Sequence, residues 1–99
     1  MTGAERIAAE RQRQIDVEGY SPEHDGYHPM GELASAGACY AAFAYYTGPA
    51  RLPPINWPWR AEDWKHDPRD PLHNLVRAGA LIAAEIDRLQ AAEEPNDDR

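Results

Sequence analysis

The chain contains one cysteine, one phenylalanine and no apolar run approaching the roughly 20 residues that a bilayer-spanning helix requires. Each shortage excludes something. A lone Cys39 forms neither an internal disulfide nor a cluster of thiols around zinc, and among apolar neighbours it reads as a small buried hydrophobe. The N-terminus carries Glu10-Arg11-Gln12-Arg13-Gln14 where a signal peptide needs an apolar centre, so a cytoplasmic protein and no membrane partner are expected. Positive charge is scarce as well: 10 Lys and Arg against 17 Asp and Glu leave a net charge of −7. A nucleic-acid backbone is held by a basic surface, so direct nucleic-acid binding is disfavoured. Nor is this the dense acidic face of a DNA mimic, because Arg and Lys are interspersed among the acids. There is no glycine-rich phosphate loop, no Gly-x-Ser-x-Gly and no nucleophile with an obvious base beside it, so catalytic residues are unassigned.

What is present is helical patterning in one small domain, expected over residues 1–92, with 93–99 as a disordered acidic tail. A chain this short buries a smaller share of its surface than a longer one, which favours a homo-oligomer. No segment alternates convincingly as a strand. The expected class is all-α: three helices, a central one rich in small residues, and a Pro/Trp-rich irregular segment packed over them.

Thr2 and Glu5 have capping-box spacing and open a first helix running from Ala4 to about Val17. Its apolar stripe of Ala4, Ile7, Ala8 and Ile15 is interrupted by Arg11. That arginine either snorkels along the stripe or, with Gln14, points into a polar pocket and holds a carboxylate or phosphate. The second helix runs from near Gly31 to about Tyr46 and is apolar nearly all round, which predicts burial on more than one side. Six prolines between Pro49 and Pro71, with Trp57, Trp59 and Trp64 among them, then predict an extended segment with one turn near Ala61 to Lys65. Its tryptophans serve as a cover for the helices, or as a stacking surface for a base. Asp70-Pro71 starts the third helix, where Leu72, Leu75, Val76, Gly79, Ile82, Ala83, Ile86 and Leu89 share a stripe expected to face the core. Leu81 falls on the opposite side, as an ordinary exposed leucine or a mark of self-association.

Candidate chemistry concentrates in Glu23-His24-Asp25-Gly26-Tyr27-His28-Pro29-Met30-Gly31-Glu32. Histidines at i and i+4 with a carboxylate four further on could hold a divalent metal from a helix face. Pro29 disfavours helix at His28, so such a site would be assembled from a loop and the start of helix 2. The structural alternative is a polar network in which Glu32 complements the helix N-terminus and Asp25 caps a turn. Glu85 and Asp87 invite comparison with the magnesium-holding acids of all-helical nucleotide pyrophosphohydrolases, but two residues apart they do not share a helix face.

The strings Glu10-Arg11-Gln12-Arg13-Gln14, Glu18-Gly19-Tyr20-Ser21-Pro22-Glu23-His24-Asp25, Gly31-Glu32-Leu33, Trp57-Pro58-Trp59 and Leu75-Val76-Arg77-Ala78-Gly79-Ala80-Leu81-Ile82 resemble a family of short proteins encoded by tailed phages and prophages. The resemblance covers most of the chain. Tyr20 stands where that pattern has tryptophan, Gly26 replaces a second aspartate, and His66-Asp67 interrupts a Trp-Lys-Pro. The resemblance implies a phage-encoded protein working in a bacterial cytoplasm and implies no activity. The expected function is therefore an accessory binding protein that captures a host protein or a small polar ligand such as a nucleotide, in counter-defence. Its candidate ligand-binding residues are Arg11, Gln14, Glu23, His24, Asp25, His28, Trp57 and Trp59. This reading requires no cofactor. The alternative is a small metal-dependent nucleotide hydrolase with His24, Asp25, His28 and Glu32 as metal ligands and Asp87 in support.

Overall fold

The computed structural model describes residues 1–18, 30–48 and 52–93, and within these all regular structure is helical. Helix α1 spans Gly3–Glu18, α2 Glu32–Ala42 and α3 Pro71–Glu93, with a single 3-10 turn at Ala61–Asp63. The chain is a small all-α domain, as its patterning predicts. Among the described residues no helix is long and apolar enough to cross a membrane. The shared element is α3 rather than α2, since both α1 and α2 pack on it.

Local chemistry accounts for the helix boundaries. Thr2 Oγ1 accepts from Glu5 N–H at 3.1 Å while Glu5 Oε1 accepts from Thr2 N–H at 2.7 Å, which completes the capping box. Asp70 Oδ1 accepts from His73 N–H at 3.0 Å and caps α3 ahead of Pro71. Gly31 enters α2 with φ of 86°, in the left-handed region where a side chain would be strained. At its other end α2 stops at Ala42, earlier than expected. The backbone tightens into i→i+3 turns, Ala44 N–H to Ala41 O and Tyr46 N–H to Phe43 O, which satisfy carbonyls that would otherwise be left open.

The face of α3 that packs against α2 is not the one the large aliphatics mark. Asn74, Ala78, Leu81 and Ala84 are buried there, whereas Leu72, Leu75, Ile82, Ile86 and Leu89 remain between 41% and 52% exposed. The cause is the closeness of α2. A Cβ on Gly37 would stand 3.1 Å from both Ala78 O and Ile82 Cγ1, so only small residues fit at the line of contact. Leu81, expected outside, is 3% exposed and fills the core beside Leu33 and Tyr40. Helix 2 is likewise buried on one side only: Leu33, Ala36, Gly37, Cys39 and Tyr40 are inside, while Ala34, Ala38, Ala41 and Ala42 are exposed. On the α1 side, Ile7 lies over Gly79, where a Cβ would come within 2.5 Å of Ile7 Cδ1.

The Pro/Trp segment covers the helices through aromatic packing and a few backbone anchors. Tyr40 stacks on Trp64 with centroids 4.6 Å apart and meets Trp57 edge-on at 5.6 Å, while its hydroxyl accepts from Lys65 N–H at 2.8 Å. His66 Nε2–H donates to Phe43 O at 2.7 Å. Asn74, fully buried, makes three bonds: its amide donates to Ala44 O at 3.0 Å and to Asp67 O at 2.8 Å, and its Oδ1 accepts from Asp67 N–H at 3.0 Å. Replacing it leaves buried partners without hydrogen bonds. Asn74→Ala is expected to lower the unfolding free energy by about 2–4 kcal/mol in urea titration, whereas a loss under about 0.5 kcal/mol would show that the segment is held otherwise.

Candidate ligand pocket

A cavity of about 740 Å³ lies between the three helices and the Pro/Trp segment. Helix α1 faces it with Glu10, Arg13, Gln14 and Glu18, α2 with Leu33 and Tyr40, and α3 with Arg77 and Leu81. Trp57, Pro58, Trp59, Arg60, Asp63 and Lys65 complete the wall. The buried side of α1 is thus polar, with Glu10, Arg11 and Gln14 all inside, while Ala4 and Ala8 of its apolar stripe stay exposed.

Burying polar groups demands partners, and α1 supplies them from its own turns. Arg13 Nε and Nη2 donate to the two Glu10 carboxylate oxygens at 2.8 Å each, and Nη2 reaches Glu18 Oε2 at 2.9 Å. The Arg13 guanidinium holds the Glu10 carboxyl below its usual range although burial pushes the other way, and the two carboxylates hold Arg13 more firmly protonated. Gln14 Nε2 is 3.5 Å from Glu10 Oε2, a long bond. Its Oε1 is buried and receives no hydrogen bond among the described residues, in a side chain only 2% exposed. That carbonyl lacks a donor, a rare condition for a buried acceptor.

Across the cavity Arg77 lies 5.3 Å from the centre of the Tyr40 ring, a cation–π contact. Its Nη1 donates to Lys65 O at 2.5 Å and its Nη2 to His73 Nε2 at 2.8 Å, so His73 accepts at that nitrogen. Burial pushes the Tyr40 hydroxyl up, keeping it protonated. Trp57 and Trp59 meet at 84° with centroids 5.4 Å apart, forming an aromatic corner, and Trp57 Nε1–H is spent on Arg60 O at 2.9 Å. The described residues of the lining carry four cations and three carboxylates, near balance in a chain of net charge −7.

Of the candidate residues, the fold brings Gln14, Trp57 and Trp59 to this one cavity. Arg11 is directed elsewhere. Its Nε donates to Asp87 Oδ2 at 3.1 Å, so it holds a carboxylate, but one belonging to its own chain. Glu85 is likewise engaged, by Arg88 at 2.8 and 2.9 Å, and that guanidinium lowers its pKa. Glu32 stands in the first turn of α2, and its Oε1 accepts from Met30 N–H, just ahead of the helix, at 2.9 Å. Glu23, His24, Asp25 and His28 lie outside the described residues, and among the described ones no three His, Cys, Asp or Glu are grouped to hold a metal. Cys39 is buried and burial raises its thiol pKa, in keeping with a small core hydrophobe.

Glu10, Arg13, Tyr40 and Arg77 were not candidates, yet all face the cavity. A signal existed for two of them: Glu10, Arg13, Gln14 and Glu18 recur at helical spacing and form a polar stripe. No family model, curated protein or solved structure matches the chain.

The Glu10–Arg13 pair has a consequence for acid stability. The unfolded chain takes up its proton near the ordinary value of 4.5, the folded chain only at lower pH. The contribution is therefore complete above that value and lost as pH falls through the folded pKa. Glu10→Gln is expected to flatten the fall in urea midpoint between roughly pH 5 and 3, and an unchanged pH profile would assign acid sensitivity to other carboxylates.

Proposed function

We propose that the chain is an accessory binding protein that captures a small nucleotide-like ligand in this cavity. The observation that carries the reading is Gln14 Oε1, a buried acceptor without a donor among the described residues, in a wall shared with two indoles. A ligand N–H would satisfy it once the Gln14 side chain turns this shielded oxygen toward the cavity, and a buried polar group that gains its partner only on binding discriminates for molecules that supply one. Trp59, half-buried beside the buried Trp57, offers the apolar surface that a flat heteroaromatic ring stacks against. Arg13, whose side chain is 41% exposed, would meet a phosphate at the rim. A volume of about 740 Å³ suits a molecule of nucleotide size.

Of the two partner types expected, a small polar ligand and a host protein, an indented site of this kind favours the first. The resemblance to short tailed-phage proteins supplies a setting, since sequestering a host nucleotide signal would serve counter-defence. Glu10 and Glu18 are both tied to Arg13, which leaves Asp63 as the one other carboxylate among the described lining residues, and a lone carboxylate supports capture over hydrolysis. Calorimetric titration with nucleoside monophosphates and cyclic dinucleotides is expected to give at least one ligand with a Kd on the order of micromolar. Gln14→Met, which keeps the volume and removes the acceptor, should weaken it about tenfold. Absence of heat across the panel, or equal affinity in the variant, would remove the reading.

A further inference from the structure

We propose that Arg77 and Lys65 form the anion seat of the cavity, so that a ligand is selected by its phosphate group and not by its base alone. The assignment rests on the cavity being a ligand site and says which end of the ligand lies where. It starts from a difference among the four lining cations. Arg13 is bracketed by Glu10 and Glu18, and Arg60 meets Glu62. Arg77 and Lys65 meet no carboxylate among the described residues, in a chain that has 17 acidic residues for 10 Lys and Arg.

The described hydrogen-bond and ring contacts of the Arg77 guanidinium are all with neutral groups: Lys65 O at 2.5 Å, His73 Nε2 at 2.8 Å and the Tyr40 ring, its centre 5.3 Å away. They fix the half-buried group without offsetting its charge, and a guanidinium has more donors than these two bonds use. Glu10 is held ionised first by Arg13, which bonds both its oxygens, and only then by the field of Arg77. The Lys65 backbone is clamped beside the guanidinium, its N–H on Tyr40 Oη at 2.8 Å and its carbonyl on Arg77, so the exposed side chain starts from a fixed point on the cavity wall. Neighbouring cations repel, and an anion received between them turns that cost into charge-assisted bonds. Donors already held in place lose little freedom on binding. At Arg13, by contrast, two carboxylates oppose an incoming phosphate, which makes it an outer contact.

Calorimetry with adenosine, guanosine, cytidine and uridine, each against its monophosphate at matched ionic strength, separates this inference from ligand capture itself. The monophosphate of the bound nucleoside is expected to bind about tenfold more tightly than the nucleoside. Arg77→Gln should weaken the monophosphate about tenfold and Lys65→Gln about threefold, with nucleoside affinity unchanged, whereas a merely structural disturbance would weaken both ligands. The described bonds of Lys65 come from its backbone, so Lys65→Gln carries the test should Arg77→Gln fail to fold. In a second arm, inorganic phosphate alone is expected to shift the Arg77 Nε–H and Lys65 amide resonances and to saturate on the order of millimolar. Equal affinity of nucleoside and monophosphate, or a preference that survives in the folded variants, overturns the anion seat and leaves capture intact. Saturation by phosphate with no nucleoside or monophosphate bound removes capture and keeps the seat. Fixed resonances with no binding overturn both.

Discussion

The close approach of α2 to α3 at Gly37 is the constraint on which the remaining structure depends. With a Cβ at Gly37 only 3.1 Å from Ala78 O, the two backbones can meet only where side chains are nearly absent. Ala36 and Gly37 on one helix and Ala78 on the other satisfy that condition, and Leu81 occupies the space beside them. Setting the line of contact there also determines what α3 shows elsewhere. Arg77 and Leu81 turn to the cavity, and the larger aliphatics are left on the outer side. One packing decision thus produces both a recess and an apolar face.

The recess needs a fourth wall, and it comes from a segment whose described residues hold no helix or strand beyond one 3-10 turn. Proline-rich backbone cannot saturate itself with ladder bonds, so its position is fixed from outside. Asn74 does this at one end, with three bonds from a site entirely shielded from water. Tyr40 does it further along, through stacking on Trp64 and a hydroxyl that accepts from Lys65 N–H. The polar interior of α1 closes the other side, where Arg13 neutralises Glu10 and Gln14 Oε1 receives no donor among the described residues.

Much of this architecture is legible in the residues alone. Thr2 with Glu5, and Asp70 before Pro71, mark helix starts because capping chemistry is local and needs nothing beyond a few neighbours. The covering role of the tryptophans follows from their area and the prolines around them. The buried face of α3 does not follow, because periodicity shows which residues share a stripe and not which stripe meets a neighbour. Leu81 and the Leu72-to-Leu89 series exchange places for that reason. Arg11 was visible as an anomaly, but its partner Asp87 lies 76 residues away and only the fold joins them. Gln14, Trp57 and Trp59 could be suspected by type, whereas Arg77 and Tyr40 acquire their place from the packing of α2 on α3.

The central claim is that the recess is a binding site built around Gln14 and two indoles. Its most direct test is nitrogen–proton correlation spectroscopy during addition of each nucleoside monophosphate in turn, following the Gln14 side-chain amide and the Trp57 and Trp59 indole N–H signals. The account predicts that with at least one of these probes all three move together and saturate on a single curve. If the three stay fixed with every probe, or if shifts are confined to residues away from the cavity, the account is contradicted.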